Sequence, residues 1–216
     1  MKFEAAIIGL IGVIIGAFLA TLKDWWFHRV KKKEDQTYLA IQISCLLERF
    51  STGCLEVAYD DGRSHGQPDE HGYLSPQVKT PNFEPLSVDV NWKSLPTSLM
   101  YQILRLPSKI DDANAYISSA SEYAASPPDF EEFFEARVEK YSELGLLAIE
   151  LVEELRELAK FPADPSDDDW NPKARLKEAY DGVRAEISAR NLRNQITAKQ
   201  MAEQFQPHSS DTTNEP

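Results

Sequence analysis

The longest run of apolar positions lies near the start of the chain, where residues 5–22 read AAIIGLIGVIIGAFLATL without a single charge. As a helix, this run would rise roughly 27 Å, close to the thickness of one hydrocarbon core. No small-x-small cleavage motif follows it, since Ala20, Thr21 and Leu22 lead directly to Lys23. The pattern therefore predicts an uncleaved signal anchor that crosses the membrane once, rather than a cleaved signal peptide.

An aromatic and basic segment follows the apolar run and predicts how the anchor is oriented. Aromatic rings favour the membrane interface, and basic residues favour the cytoplasmic side. Only Lys2, offset by Glu4, precedes the run. We expect a short extracytoplasmic N-terminus over residues 1–4, a transmembrane helix with its aromatic interface over 5–27, and a cytoplasmic remainder, in the cell (inner) membrane. The residues predicted to contact the lipid bilayer at the interface are Lys23, Trp25, Trp26, Phe27, Arg29, Lys31, Lys32 and Lys33.

Two glycines in the apolar run, Gly12 and Gly16, are spaced four residues apart. Small residues at this spacing lie on one face of a membrane helix and let a second helix approach closely. The pair therefore predicts self-association of the anchor, and with it a homodimer.

Beyond residue 33 the apolar positions recur at steps of three and four, which is the spacing of one helical face. The first helix should end near Gly62. Further helices are predicted over 97–106, over 107–125, over about 129–160, and from Pro172 onward. The predicted fold class is all-α, with a single transmembrane helix followed by a cytoplasmic bundle of four to five helices. A coiled-coil-like seam in the 129–160 helix consists of Tyr141, Leu144, Ala148, Leu151, Leu155 and Leu158.

Residues 61–96 interrupt the helical pattern with three glycines and five prolines, and predict one long irregular loop within a cytoplasmic domain over 28–205. The second half of this loop is rich in apolar residues, so we expect residues 88–95 to pack on the bundle with Trp92 substantially buried. The hydrophilic stretch 63–71 should be exposed and mobile. Residues 206–216 are polar and predict a disordered tail.

Charge narrows the classes of partner. Six of the 23 Lys and Arg residues, but only two of the 35 Asp and Glu residues, lie within residues 1–33, so the rest of the chain has a net charge near −16. Binding to phosphates requires a basic face, and this composition argues against a nucleic-acid partner. Cys45 and Cys54 lie about 13 Å apart along one helix, too far for a disulfide, and we expect buried, reduced thiols.

One cluster of metal-binding residue types lies in the irregular loop, at His65, Asp69, Glu70 and His71. Nitrogen and oxygen donors bind divalent metals, but the spacing fits no closed zinc motif, and a solvated loop explains the cluster better. The sequence contains no phosphate-binding loop, dinucleotide fingerprint or nucleophile elbow. We therefore expect no catalytic residue and no cofactor.

Together these patterns favour a membrane-anchored helical interaction or regulatory module without catalytic activity, whose cytoplasmic domain binds a protein partner. Two alternatives stay open from the sequence. The loop cluster would serve a membrane-bound, metal-dependent hydrolase. Oligomerisation through the anchor would suit a membrane effector that perturbs the bilayer.

Overall fold

The computed structural model describes residues 2–161 and 171–204, except for the side chains of residues 2–15, 17, 20 and 204. Four helices carry almost all the regular structure in these ranges, namely α1 (Lys2–Ala58), α2 (Thr97–Tyr123), α3 (Glu131–Ala159) and α4 (Pro172–Gln204). The same ranges contain no β-strand. The all-α prediction is confirmed, whereas the tail predicted over 206–216 lies outside the described residues.

Helix α3 is central, and it runs opposite to α1. Near its start, Arg137 pairs with Asp60, two residues beyond α1, with 3.0 Å between Nη2 and Oδ2. Near its end, Arg156 faces Glu48, ten residues before the end of α1, with 3.6 Å between Nη1 and Oε1. Residues late in α3 therefore lie beside Glu48, and residues early in α3 lie beside the end of α1.

Helix α4 packs on α3 in the same antiparallel manner. Lys173, at the start of α4, contacts Glu153 late in α3, with 2.8 Å between Nζ and the carboxylate. Arg190, seventeen residues later in α4, contacts Glu135 in the first turns of α3. Every described side chain of α4 beyond residue 190 is exposed, so the last turns of α4 extend past the bundle.

Helix α2 also runs opposite to α3. Leu99 in its first turn shares a cleft with Leu158 at the end of α3. Farther along α2, Asn114 accepts a 2.8 Å hydrogen bond from the hydroxyl of Tyr141, which lies in the first half of α3. Helices α1, α2 and α4 are therefore parallel to one another, and the chain must return along the whole bundle between α1 and α2.

Residues 61–96, which we call the strap, make that return as an irregular segment beside α1. The rings of Phe83 and Phe50 pack in a tilted arrangement with centroids 5.7 Å apart, and Asn91 donates a 3.0 Å hydrogen bond to Asp35. The strap thus moves toward the start of α1 as its own numbering rises. Its only helical pieces are two 3₁₀ turns, Pro85–Ser87 and Trp92–Ser94. Parallel packing of α1 and α2 explains the length of this loop.

The predicted division of the strap into a packed and an exposed half is confirmed. Leu95 is buried, and Val88, Val90 and Trp92 are partly buried against the main core. Residues 63–71 are exposed throughout. Leu86 departs from the expectation for the apolar half, because 74% of its surface is exposed.

The core is built mainly from α1 and α3. Five of the six predicted seam residues of α3 are buried, and Leu158 is partly buried against the core. Gly145 allows a close approach of helices here, since a Cβ at this position would lie 2.9 Å from both Cys54 Cβ and Leu176 Cδ1. The α1 residues buried against this seam are spaced by three and four, and they are Leu39, Ile43, Leu47, Phe50, Cys54 and Val57.

Pro107 does not divide α2 into two helices, and that prediction is wrong. The helix continues from Thr97 to Tyr123 with Pro107 inside it. A proline in a helix interior costs about 3 kcal/mol, because it removes one backbone hydrogen bond and clashes with the preceding turn. Ile103, Leu106 and Ile110 on either side are all buried. Burial contributes roughly 1.5–3 kcal/mol for each such side chain, which offsets the cost of the proline.

The prediction that both cysteines are buried is wrong for Cys45. Both thiols are free, but only Cys54 is buried, whereas Cys45 faces solvent. Nine residues correspond to two and a half helical turns, so the two side chains point to opposite faces of α1, and only one of these faces the bundle. Burial raises the pKa of the Cys54 thiol far above its ordinary value, which keeps it protonated and unreactive.

Candidate functional site

The predicted membrane-interface residues all lie on the exposed part of α1 before the bundle begins. Every described side chain from residue 16 to residue 34 is exposed, and burial begins at Asp35. Two cation–aromatic contacts form along this surface. The Arg29 guanidinium lies 4.5 Å from the ring centroid of Trp25, and Lys23 Nζ lies 5.7 Å from that of Phe27. Such pairs combine a positive charge with an apolar surface, which is the chemistry of a headgroup region.

The predicted anchor lies largely outside the described side chains. Among the residues whose side chains are described, no helix has a stretch that is both long and apolar enough to cross a membrane. Gly12 lies outside this description, and Gly16 is exposed, with no atom within 4 Å of the position that a Cβ would occupy. The anchor and its self-association therefore stay predictions.

The loop cluster at residues 65–71 does not converge on one point. The Asp69 carboxylate accepts hydrogen bonds from the backbone N–H groups of His71 and Tyr73, at 2.9 and 2.8 Å, and so closes a local turn. His71 and Glu70 are 3.9 Å apart and largely exposed. Within residues 2–161 and 171–204, no three His, Cys, Asp or Glu side chains are placed to hold a metal ion.

Asp60 is a buried charged residue that the sequence alone did not predict. Its carboxylate accepts hydrogen bonds from the backbone N–H groups of Gly62, Gln77 and Val78, and from Nη2 of Arg137. Only 1% of the Asp60 side chain and 7% of the Arg137 side chain is exposed. The ion pair therefore links the end of α1 and the strap to α3.

A groove lies directly beside this ion pair, between the end of α1, the start of α3 and the middle of α4, and we call it the acidic groove. Its volume is about 450 Å³. Several carboxylates line it, and no lysine or arginine does so among the described residues. Besides the Asp60 carboxylate, which is already bonded, the acidic lining residues are Asp61, Asp129, Glu131, Glu135 and Glu186.

The floor of the acidic groove is apolar. Leu74 from the strap, Phe134 and Val138 from α3, and Val183 from α4 contribute to its lining. Gly62 has a positive φ of 73° and lets the ring of Phe134 approach, because a Cβ there would lie 2.3 Å from Cζ of Phe134. A left-handed glycine in the turn after α1 therefore shapes one wall of the groove.

Glu135 is the most buried carboxylate of the groove apart from Asp60. Its Oε2 accepts a hydrogen bond from Nη2 of Arg190, whereas its Oε1 is buried without a hydrogen-bond partner among the described residues. Desolvation raises the pKa of Glu135 above its ordinary value, against the lowering effect of Arg190 and with a further increase from the nearby charges of Glu131 and Glu132. Nη1 of Arg190 is likewise buried without a hydrogen-bond partner among the described residues, so the donor and the acceptor of this ion pair are both incompletely bonded.

A larger groove of about 620 Å³ lies on another side of the bundle, between α2, α3 and α4. It is lined by residues of both charges, including Lys109, Asp112, Lys140 and Glu143, and Lys140 Nζ lies 4.8 Å from the ring centroid of Tyr116. Its charges offset one another locally, unlike those of the acidic groove. The larger groove is lined by both positive and negative side chains, whereas the charged residues that line the acidic groove are all negative.

No protein-family model matches the chain, and no match is found among curated proteins or solved structures. The acidic groove is not predicted by any local sequence pattern. A partial signal existed, because Glu131, Glu132 and Glu135 stand within two turns of one another. What joins them to Asp61 and Glu186 is tertiary packing, which local sequence does not carry.

Proposed function

We propose that this protein is a membrane-anchored, non-catalytic interaction module. In this proposal, residues 5–22 cross the cell (inner) membrane once, residues 23–33 lie at the interface, and the helical bundle binds a protein partner in the cytoplasm. The observation that carries the proposal is the exposure of α1 before the bundle. Phe18, Leu19, Leu22, Trp25, Trp26 and Phe27 are each at least 44% exposed.

A helix in water normally keeps its apolar residues on one packed face. Here the exposed apolar side chains occupy consecutive positions, 18 and 19 and again 25 to 27, so they cover more than half of the helix circumference. A contiguous exposed apolar surface of this kind indicates contact with a membrane or another protein. The uncharged run that precedes it and the cation–aromatic pairs at Trp25 and Phe27 support a membrane.

The orientation follows from the distribution of basic residues. Lys23, Arg29, Lys31, Lys32 and Lys33 follow the apolar run, whereas Lys2 alone precedes it. We therefore place the bundle in the cytoplasm and propose that Gly12 and Gly16 pair two copies within the bilayer. A C-terminal reporter that is active only outside the cytoplasm should stay silent, and a strong signal from it would contradict this orientation.

Membrane extraction tests the anchor directly. The double variant Ile11→Lys/Ile15→Lys introduces two charges in the apolar run, each costing about 2.5–3.5 kcal/mol at the centre of a bilayer. We expect alkaline carbonate to release this variant from membranes while the wild type stays in the pellet. The matched control Ile11→Leu/Ile15→Leu keeps the run apolar and should stay with the wild type. Release of all three proteins would overturn the proposal.

A further inference from the structure

The face of α1 that points away from the bundle changes character along its length. In the packed part of α1, the exposed positions on this face are Glu34, Tyr38, Ile41, Cys45, Glu48, Arg49, Thr52 and Glu56. Residues 48–56 are polar, as a helix face in water normally is. The half nearer the anchor is apolar, because Tyr38 is 55% exposed, Ile41 is 45% exposed and Cys45 also faces solvent. We call these three residues the apolar stripe.

The bilayer does not reach the apolar stripe. In the proposed topology the uncharged run ends at Leu22, and Ile41 lies roughly 28 Å farther along α1. The headgroup layer adds only about 5–8 Å on each side of the hydrocarbon core. The inference rests on the proposed function in this one respect, the position of the membrane along α1. A protein surface, rather than lipid, is therefore needed to cover the apolar stripe.

The apolar stripe points in the same direction as the small residues of the anchor. Helix α1 is continuous over Lys2–Ala58, so a direction around its axis can be followed along its length. At about 100° per residue, Ile41 and Cys45 each lie within roughly 20° of Gly16, whereas Ile43 lies roughly 180° away. Ile43 is fully buried, and no described atom lies within 4 Å of the position that a Cβ of Gly16 would occupy. The rest of the bundle therefore lies on the side of α1 opposite to Gly16.

A second copy of this chain is the partner that fits this arrangement. Two anchors that pair through Gly16 place the apolar stripes of both copies face to face, and each bundle then lies on the outer side of the pair, where it does not obstruct the contact. A twofold dimer needs such a surface, since the same patch of each copy must match itself. We propose that the apolar stripe packs against the apolar stripe of a second copy, in a parallel dimer that continues from the membrane into the cytoplasmic domain.

The spacing of the exposed positions sets the geometry of this dimer. From Glu34 to Glu56 they take six steps over 22 residues, about 3.7 residues per step. This period keeps two straight or slightly right-handed helices in contact, whereas a left-handed coiled coil needs about 3.5 residues per step. Helix axes about 8–10 Å apart bring the facing Cα atoms within about 7 Å, the reach of a disulfide. Two straight helices that cross at about −40° at Gly16 would instead lie roughly 30 Å apart at Cys45, so a crosslink there separates the two geometries.

The test oxidises the full-length chain in phosphatidylcholine vesicles with copper phenanthroline and measures the dimer by non-reducing electrophoresis. Extraction with alkaline carbonate first measures insertion, and any protein that fails to insert is oxidised in the same way, so that failure of the anchor and failure of the apolar stripe are separate results. We expect Cys45 to form dimer at least about tenfold faster than Cys45→Ser/Ser119→Cys, whose thiol lies at an exposed position of α2. Cys45→Ser alone should form no dimer, because Cys54 is buried. Equal rates for the thiols at positions 45 and 119 would overturn the proposal.

Two charge variants locate the contact on the apolar half of the face. Ile41→Glu places a carboxylate in the apolar stripe, and Thr52→Glu adds the same charge to the polar half, both at exposed positions. Because like charges that face each other in an interface are costly, we expect Ile41→Glu to slow crosslinking through Cys45 at least about tenfold, and Thr52→Glu to stay within about twofold of the wild type. Circular dichroism checks that both variants keep their helix content. Unchanged crosslinking in Ile41→Glu would contradict the inference. If Cys45→Ser/Gly16→Cys crosslinks but Cys45 does not, the anchors pair without the apolar stripe, and the inference fails while the proposed function stands.

Discussion

The two parts of α1 form one continuous helix but have different surroundings. From residue 35 onward, the buried positions of α1 recur at three and four residues and face α3. From residue 16 to residue 34, every described side chain is exposed, including Trp25 and Trp26. Secondary structure therefore does not mark where the bundle begins. The difference lies in the distribution of apolar side chains, which occupy one face in the packed part and more than half of the circumference in the exposed part.

The comparison predicts that substitutions which disturb contacts of the packed part are costly, and that substitutions in the exposed part leave the bundle unchanged. Unfolding of the full-length chain in a mild detergent measures both on one scale. The expected effects decrease from the buried ion pair at the end of α1 to the aromatic residues before the bundle.

The largest effect is expected for Arg137→Leu. This substitution leaves the buried carboxylate of Asp60 without its charged partner, which typically costs about 3–5 kcal/mol. Urea denaturation should show a correspondingly lower free energy of unfolding. Lys173→Leu is the control, because its ion pair with Glu153 is about half exposed on both sides and should contribute less than about 1 kcal/mol. Equal losses in the two variants would mean that Arg137 does not stabilise the buried carboxylate of Asp60.

The next effect concerns the seam between α3 and α1. Leu151 is fully buried, so Leu151→Ala should lower the free energy of unfolding by about 2–5 kcal/mol, through lost apolar burial and the cavity left behind. Glu153→Ala, at an exposed position two residues later, should cost much less. A similar cost for both would mean that the phase of α3 is wrong.

A smaller effect is expected where three helices meet at Gly145. Gly145→Ala places a Cβ 2.9 Å from Cys54 and Leu176, and overpacking of this kind costs about 1–3 kcal/mol. Gly182→Ala is the matched control, because its Cβ would meet no atom within 4 Å. Both variants gain the same helix propensity, so the difference between their free energies of unfolding isolates the packing cost. No difference would indicate that α1 and α4 can move apart.

Gly145 also illustrates which features the sequence could predict. Periodicity is local, and it predicted the buried face of α1 and the seam of α3, while the proline at position 172 predicted the start of α4. The close approach at Gly145, the pairing of Asp60 with Arg137 across 77 residues, and the acidic groove all depend on which helices become neighbours. The prediction of a helix break at Pro107 was wrong for the same reason, because burial of Ile103, Leu106 and Ile110 outweighs a local helix-breaking signal.

The pH dependence of stability tests the environment of Glu135. Because desolvation raises its pKa in the folded state, this carboxyl holds its proton to a higher pH in the folded chain than in the unfolded chain. Its contribution to stability is therefore fully present below the unfolded pKa, near 4.5, and is lost as the pH rises through the folded pKa. Glu135→Gln cannot titrate. The free energy of unfolding of the wild type, minus that of this variant, should fall as the pH rises from 4 to 8, and a flat difference would contradict the predicted environment.

The smallest effect is expected in the exposed part of α1. Trp26 is 65% exposed, so Trp26→Ala should change the free energy of unfolding of the bundle by no more than about 0.5 kcal/mol. Leu47→Ala, at a fully buried position of the same helix, should cost about 2–5 kcal/mol in the same measurement.

Tryptophan is nevertheless a costly side chain to leave in water, because its large ring exposes apolar surface. If Trp26→Ala leaves the bundle unchanged but weakens retention in phosphatidylcholine vesicles, then Trp26 serves the membrane and not the fold. A loss of stability as large as that of Leu47→Ala would instead mean that residues 16–34 pack on part of the protein, and that α1 has no separate exposed part.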